Sequence, residues 1–354
     1  MKVNLVKWGL LGLVVGIFFA CDDPTVEETV VPKTSNSGVF ILFQGSWGKN
    51  NAGITYYDLE TKETTFDLTK GSLGDNAMDM LHYGSKLYVT VSESSVLTVM
   101  DIANKTVIRR ISLNDESGNP RNPRYLACHE GKLFVSTYDG HVLRMDTTNH
   151  QVEATVAVGP NPEGIAVAQG KLYVANSGGY LPNYHNTVSV VDLATFKEER
   201  TITVGLNPVV LKADQYGDIY LTYNGNYFDI PSGFQRIDTK THSVYPMDQI
   251  QASNFTIVGD SCYFYGVQYD ENWATACNFG IFDVKTEALL SDPVITDGTK
   301  INTAYGIGVD PFTKWVYISD TDYQNPATIQ VFNPQGKKQT SIEAGLNATQ
   351  FLFY

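Results

Sequence analysis

GSKLYV (84–89), GKLFV (131–135), GKLYV (170–174), GDIYL (217–221) and GDSCYFY (259–265) are five spellings of one unit, a glycine turn feeding a short apolar strand. A sixth copy, KWVYIS (314–319), follows DPFTK (310–314) in place of the glycine. A seventh strand, VFILF (39–43), has no preceding strand of its own. A second marker recurs between the same strands: DLETK (58–62), DIANK (101–105), DTTNH (146–150), DLATF (192–196), DTKTH (238–242), DVKTE (283–287) and NPQGK (333–337). Asp and Asn at such positions make tight turns because their side chains cap the backbone two and three residues on. A third marker, at Asn76, Asn122, Asn161, Asn207, Gln251, Asn302 and Asn347, precedes each innermost strand.

Seven sets of three markers from residue 38 onward give a period of about 45 residues, the size of a four-stranded propeller blade. The spacing predicts an all-β, seven-bladed β-propeller over 38–354. The final FLFY (351–354) is an inner strand without a blade, and the first unit lacks one. The C-terminus is therefore expected to complete the first blade and close the ring, removing the open edge of a linear array. A helical solenoid is excluded: no segment sustains apolar residues at i, i+3, i+4 and i+7, and glycine recurs too often.

Residues 1–20 read as a signal peptide. Lys2 and Lys7 are followed by an apolar run from Trp8 to Ala20. As a helix that run spans only about 20 Å, short of the roughly 30 Å hydrocarbon core. Cys21 follows at once, as in a bacterial lipobox, and is the expected site of lipidation. Residues 21–37 form a polar, proline-containing tether reaching at most about 55 Å. Asp22 and Asp23 resemble the acidic signal that sends Bacteroidetes lipoproteins to the cell exterior. The expected location is the outer membrane, lipid-anchored and facing outward. With 25 basic against 38 acidic residues, the net charge of −13 repels phosphate backbones and speaks against nucleic-acid binding.

In a propeller with strands a to d counted from the channel outward, the a–b and c–d turns share one face. The b–c and d–a connections share the other. The glycine and aspartate turns are all short. The long connections are b–c: 44–53, 176–187, 224–233, 266–280 and 319–328. They place Trp47, Tyr180, Tyr184, Tyr227, Phe228, Tyr269, Trp273 and Tyr323 on one face. Aromatic rings on loops that the scaffold does not require point to binding; the competing reading is that they cap the blades and pack on one another. Blades 2 and 3, with turns at 92–95 and 138–140, give a lower rim. The residues after the third marker start the inner strands, so Arg124, Tyr125, Asn254, Tyr305 and Gln350 are expected at the channel mouth.

Catalytic patterns are missing. No His-x-x-x-His, Cys-x-x-Cys or Ser-His-Asp ordering is present. His82 and His129 belong to the plain face, and His185 is alone among the aromatic loops. Asp75, Asp79, Asp320 and Asp322 lie near the open face, but their spacing defines no calcium loop; neither metal nor cofactor is expected. Cys262 and Cys277 should fall at opposite ends of one hairpin, on the order of 15 Å apart. That is too far for a disulfide. Cys128 reads as a small core residue.

The lipobox with Asp22 and Asp23, the seven units, the Asn-Pro marker and the terminal FLFY together resemble the YncE-like propeller lipoproteins of gut Bacteroidetes, and more narrowly their BtuG-type members. The resemblance implies a non-enzymatic surface lipoprotein that binds cobalamin and docks on a BtuB-type TonB-dependent outer-membrane transporter. It assigns no contact residues. Two other classes remain open: a surface glycan-binding or adhesion propeller, which would use the same aromatic platform, and a lyase or lactonase propeller, which would need a metal or acid–base group at the mouth.

Overall fold

The computed structural model describes residues 36–179, 182–272 and 274–354. The expected signal peptide, Cys21 and all but the last two residues of the tether lie outside the described residues, as do Tyr180 and Trp273.

Seven four-stranded antiparallel sheets follow one another around a ring, and no helix occurs among the described residues. Blade 2 shows the plan: Ala77–Tyr83 lines the centre, Lys86–Val91 and Val96–Asp101 follow outward, and Thr106–Ser112 forms the rim. Burial follows that order. Strand b is covered on both sides, so LYVTV (87–91) reads as a continuous apolar run with small hydroxyls. Strand d, TVIRRIS (106–112), is almost wholly exposed. Charged or very short outer strands, Thr64–Thr65 and Ala288–Leu289 among them, leave little free edge for another chain to pair with.

The core is seven apolar clusters, each shared by two neighbouring blades. In one, Phe40, Leu42 and Ile54 of blade 1 meet Met80, Leu87 and Val89 of blade 2. In another, Val39, Ile41 and Phe43 meet Tyr317, Ile329 and Val331 of blade 7. Alternate residues of VFILF thus face opposite neighbours, as the period of two demands. Burying such side chains stabilises the blade contacts by about 1.5–3 kcal/mol each.

The ring closes as expected. Ala348–Phe353 pairs antiparallel with Gly38–Phe43, and the chain ends are tied by Gly38 N–H to Tyr354 O (2.9 Å) and Tyr354 N–H to Gly38 O (3.0 Å).

The Asn marker has a backbone reason. Asn76, Asn122, Asn161, Asn207 and Asn347 all have left-handed φ, between 48° and 61°, a region asparagine tolerates better than most residues. Several also bridge blades: Asn122 Nδ2 donates to Ser92 O (3.2 Å), and Asn161 Nδ2 donates to Tyr138 O (3.3 Å).

One reading is corrected. The blade-6 connection expected at 266–280 is mostly strand. Ser261–Tyr269 and Thr275–Asp283 pair over nine positions, and Asp270 N–H donates to Ala274 O (3.0 Å) where the ladder ends. Alternation continues through GVQY (266–269) and TACNFG (275–280), so the ladder extends beyond the blade as a raised hairpin. Cys262 pairs with Phe282 and Cys277 with Val267, five residues apart along the strand, or about 16 Å. Both are free thiols, as is the half-buried Cys128.

Candidate functional site: an aromatic cavity at the channel mouth

The b–c turns are uneven in height. Blades 2 and 3 turn within 92–95 and 138–140, whereas blades 5, 6 and 7 raise 224–232, the long blade-6 hairpin and 321–326. Between the raised elements lies a cavity of about 560 Å³. Its floor comes from inner strands, through Tyr125, Val210, Asn254 and Tyr305; its wall comes from Tyr227, Phe228, Ile230, Tyr269 and Tyr323.

Each wall residue is set by its own loop. In blade 5, Asn226 Oδ1 accepts the N–H groups of Phe228, Asp229 and Ile230 at 2.9–3.0 Å. This Asx cap turns the chain tightly enough that Gly225, at φ 63°, lies against Ile230 O, where no Cβ would fit. The knuckle holds Phe228 93% exposed and Tyr227 72% exposed, while Asn224 Nδ2 donates to the Tyr227 hydroxyl (2.8 Å). In blade 7, Asp322 Oδ1 accepts Gln324 N–H and Asn325 N–H, and Thr321 Oγ1 accepts Tyr323 N–H (3.1 Å). Tyr227 and Tyr323 both have left-handed φ, 59° and 63°. Non-glycine residues pay about 1–2 kcal/mol for that conformation, and such strain concentrates at ligand sites.

The rings organise one another. The hydroxyls of Tyr269 and Tyr323 are 3.0 Å apart, and Tyr323 meets Tyr305 edge to face at 5.7 Å. Tyr305 donates to Gln44 Oε1 (2.5 Å), reaching across to blade 1. Tyr184, from the blade-4 loop, packs edge to face on Tyr227 at 6.2 Å. Burial pushes the Tyr305 phenol up to about 12 and raises those of Tyr125, Tyr227 and Tyr323 as well. These phenols stay neutral donors across physiological pH. No charged side chain lines the cavity among the described residues. It offers flat apolar faces and neutral hydrogen-bonding groups, which suits an amphipathic, uncharged surface.

Of the expected site residues, Tyr125, Tyr227, Asn254, Tyr269, Tyr305 and Tyr323 are brought together here, with Tyr184 supporting from behind. Trp47 is 77% exposed on the blade-1 loop and stands outside the lining. Arg124 also stands outside: its guanidinium forms a bidentate pair with Glu163 (2.8 and 2.9 Å) and lies over the Tyr138 ring. Gln350 turns into the channel below, accepting Met80 N–H (2.9 Å). Ile230, Ser232, Val209 and Tyr265 line the cavity without having been singled out by sequence. The first two sit beside the aromatic knuckle, and the others are ordinary strand residues with no distinguishing signal.

The four aspartates considered for calcium are separately engaged. Asp75 Oδ2 accepts Gly48 N–H, Asp79 Oδ2 accepts Leu126 N–H, Asp320 Oδ1 accepts Asn302 and Thr303 N–H, and Asp322 caps its own turn. Among the described residues no group of three His, Cys, Asp or Glu side chains could hold a metal ion.

No family model matches the chain, and no curated protein does. Solved structures match in fold. Hydrazine synthase of Kuenenia stuttgartiensis is 18% identical with a TM-score of 0.58, over 72% of this chain and 76% of that one. The computationally designed Ika8 protein is 9% identical with a TM-score of 0.53, over 77% and 88%. At these identities the likeness is one of fold: this chain is a β-propeller.

Proposed function

We propose that this protein is an outer-membrane, surface-exposed lipoprotein that captures cobalamin or a related corrinoid at its aromatic face and passes it, chemically unchanged, to a BtuB-type TonB-dependent transporter. The observation that carries the binding reading is the uncharged cavity in which three raised blades converge, with strained tyrosines on its wall. A corrinoid is a broad amphipathic disc rimmed with amides. Its apolar faces would lie on Tyr227, Tyr269, Tyr323 and Phe228, and its amides would meet Asn224, Asn254 and the phenol hydroxyls. Trp47, Tyr180 and Trp273 belong to the proposal as rim contacts, and Arg124, paired with Glu163, as a support beneath the mouth. The lipid anchor at Cys21 and the transporter rest on the sequence resemblance.

Magnitudes define what such a site must do. Four rings each covering about 60 Å² contribute roughly 6 kcal/mol. Association costs about 4–15 kcal/mol in lost freedom. Stacking alone does not give tight binding, so the neutral hydrogen-bonding groups and a pre-formed cavity must supply the remainder.

Calorimetry with cyanocobalamin on residues 36–354, which form a closed ring, tests this reading. Saturable heat at micromolar concentration or below is expected. No heat with cyanocobalamin, together with saturable heat from a neutral oligosaccharide, would move the assignment to glycan adhesion on the same platform.

A further inference from the structure

Beneath the aromatic cavity the channel continues as a second space of about 230 Å³. The two share Tyr125, Val210 and Asn254, so they adjoin. Counting from the Asn/Gln marker shows what is unusual about it. Five residues past the marker, six blades carry Leu81, Ala127, Ala166, Thr256, Ile307 and Leu352, and blade 5 carries Lys212. This ammonium borders the lower space and has no hydrogen-bond or ion-pair partner among the described residues.

The other charge facing the channel is Asp79, and it is already in use. Its Oδ1 accepts Met80 N–H (2.9 Å) and its Oδ2 accepts Leu126 N–H (2.7 Å), which stitches blade 2 to blade 3. Lys212 ties nothing together. Beside it, at the same level on blade 6, the Thr256 hydroxyl also borders the space and likewise has no partner among the described residues. Burial pushes the Lys212 ammonium below the ordinary lysine range, with Asp79 opposing that shift through space. A desolvated cation that supports no packing or hydrogen bond is a cost to the fold. Leucine or alanine, as in other blades, would avoid it.

We propose that this lower channel is a site for a small oxyanion, a carboxylate or phosphate group, held by the Lys212 ammonium and the Thr256 hydroxyl and entering through the aromatic mouth. An anion placed there gives Lys212 a directly hydrogen-bonded counter-charge, which the through-space pull of Asp79 does not, and charge-assisted hydrogen bonds to an ammonium are about twice as strong as neutral ones. The proposal does not rest on which ligand the aromatic cavity takes.

The test is calorimetric titration of the full-length chain with inorganic phosphate and, separately, acetate, at ionic strength fixed with chloride. Lys212→Met and Lys212→Arg variants are compared after their folding is checked by circular dichroism. Either anion should bind the wild type and Lys212→Arg about tenfold or more tightly than Lys212→Met, and the tighter of the two identifies the oxyanion class. Phosphate or acetate should also protect Lys212 from an amine-directed reagent, read by peptide mass spectrometry on the wild type alone. Equal affinity in the Met variant, or neither saturable heat nor protection with either anion, overturns the site. Corrinoid binding without Lys212-dependent anion binding sinks this inference alone; the converse leaves it standing when the ligand reading has failed.

Discussion

At the residue scale, position separates aromatics that line the cavity from aromatics that support it from behind. Tyr323 presents a ring to the cavity and shares its hydroxyl with Tyr269. Tyr323→Ala should weaken cyanocobalamin binding about tenfold or more, as removal of a central aromatic anchor does. Tyr184→Ala removes only the ring behind Tyr227 and should cost less. His129 stands on the opposite face, so His129→Ala should bind like the wild type; equal affinities in all three variants would put the site elsewhere. Arg124 carries a prediction of another kind. Its pair with Glu163 is largely buried, with side-chain exposures of 15% and 6%. Arg124→Met should destabilise the propeller by about 3–5 kcal/mol in urea unfolding, because it strands a buried carboxylate. Pairing it with Glu163→Leu should recover most of that loss.

At the element scale, the c–d turns act as a distributed acid sensor. Asp58, Asp146, Asp238 and Asp283 accept backbone N–H groups two and three residues on, as in Asp146 with Thr148 N–H (2.9 Å) and Asn149 N–H (3.0 Å), while Asp192 accepts Thr195 N–H (2.7 Å). Those bonds, with Lys132 helping at Asp146 and Lys171 leading at Asp192, hold the carboxyls below the usual range, Asp146 at about 2. A carboxyl with a depressed folded pKa stabilises above its unfolded value, near pH 4. That contribution disappears as pH falls through the folded value. Far-ultraviolet circular dichroism should therefore show stability draining between about pH 4 and 2. Blade 7 already uses Asn333, whose Oδ1 accepts Gln335 and Lys337 N–H. Converting the five aspartates to asparagine should keep the turns and blunt the acid transition; an unchanged acid profile would put its origin elsewhere, in buried groups such as Asp79.

The whole ring was legible in sequence because each blade repeats the same turn chemistry, and closure follows from a strand missing at one end and spare at the other. The site was legible only in part. Tyr227, Tyr269 and Tyr323 could be placed on one face because every b–c connection shares it, but periodicity does not reveal which loop leans over the mouth. The blade-6 hairpin reads as a loop in sequence because glycine and asparagine at 266, 278 and 280 obscure an alternation that pairing makes plain. The pairing of Arg124 is not legible locally because its partner, Glu163, is supplied by the next blade. Lys212 was overlooked among apolar neighbours, although aligning the seven inner strands isolates it. Closure itself is testable: deleting 348–354 should expose the edge of Gly38–Phe43 and turn a cooperative monomer into an aggregating one, read by size-exclusion chromatography and thermal unfolding.

The two termini of the propeller meet at Gly38 and Tyr354, at the end of their strands away from the b–c turns. A tag or surface linkage at Tyr354 would therefore hold the disc by its plain side, with the tyrosine bowl pointing into solution. A short linker between the ends would allow the chain to be reopened at any tight c–d turn without disturbing the bowl. The propeller is thus laid out so that it can be immobilised, permuted or fused without its bowl being covered.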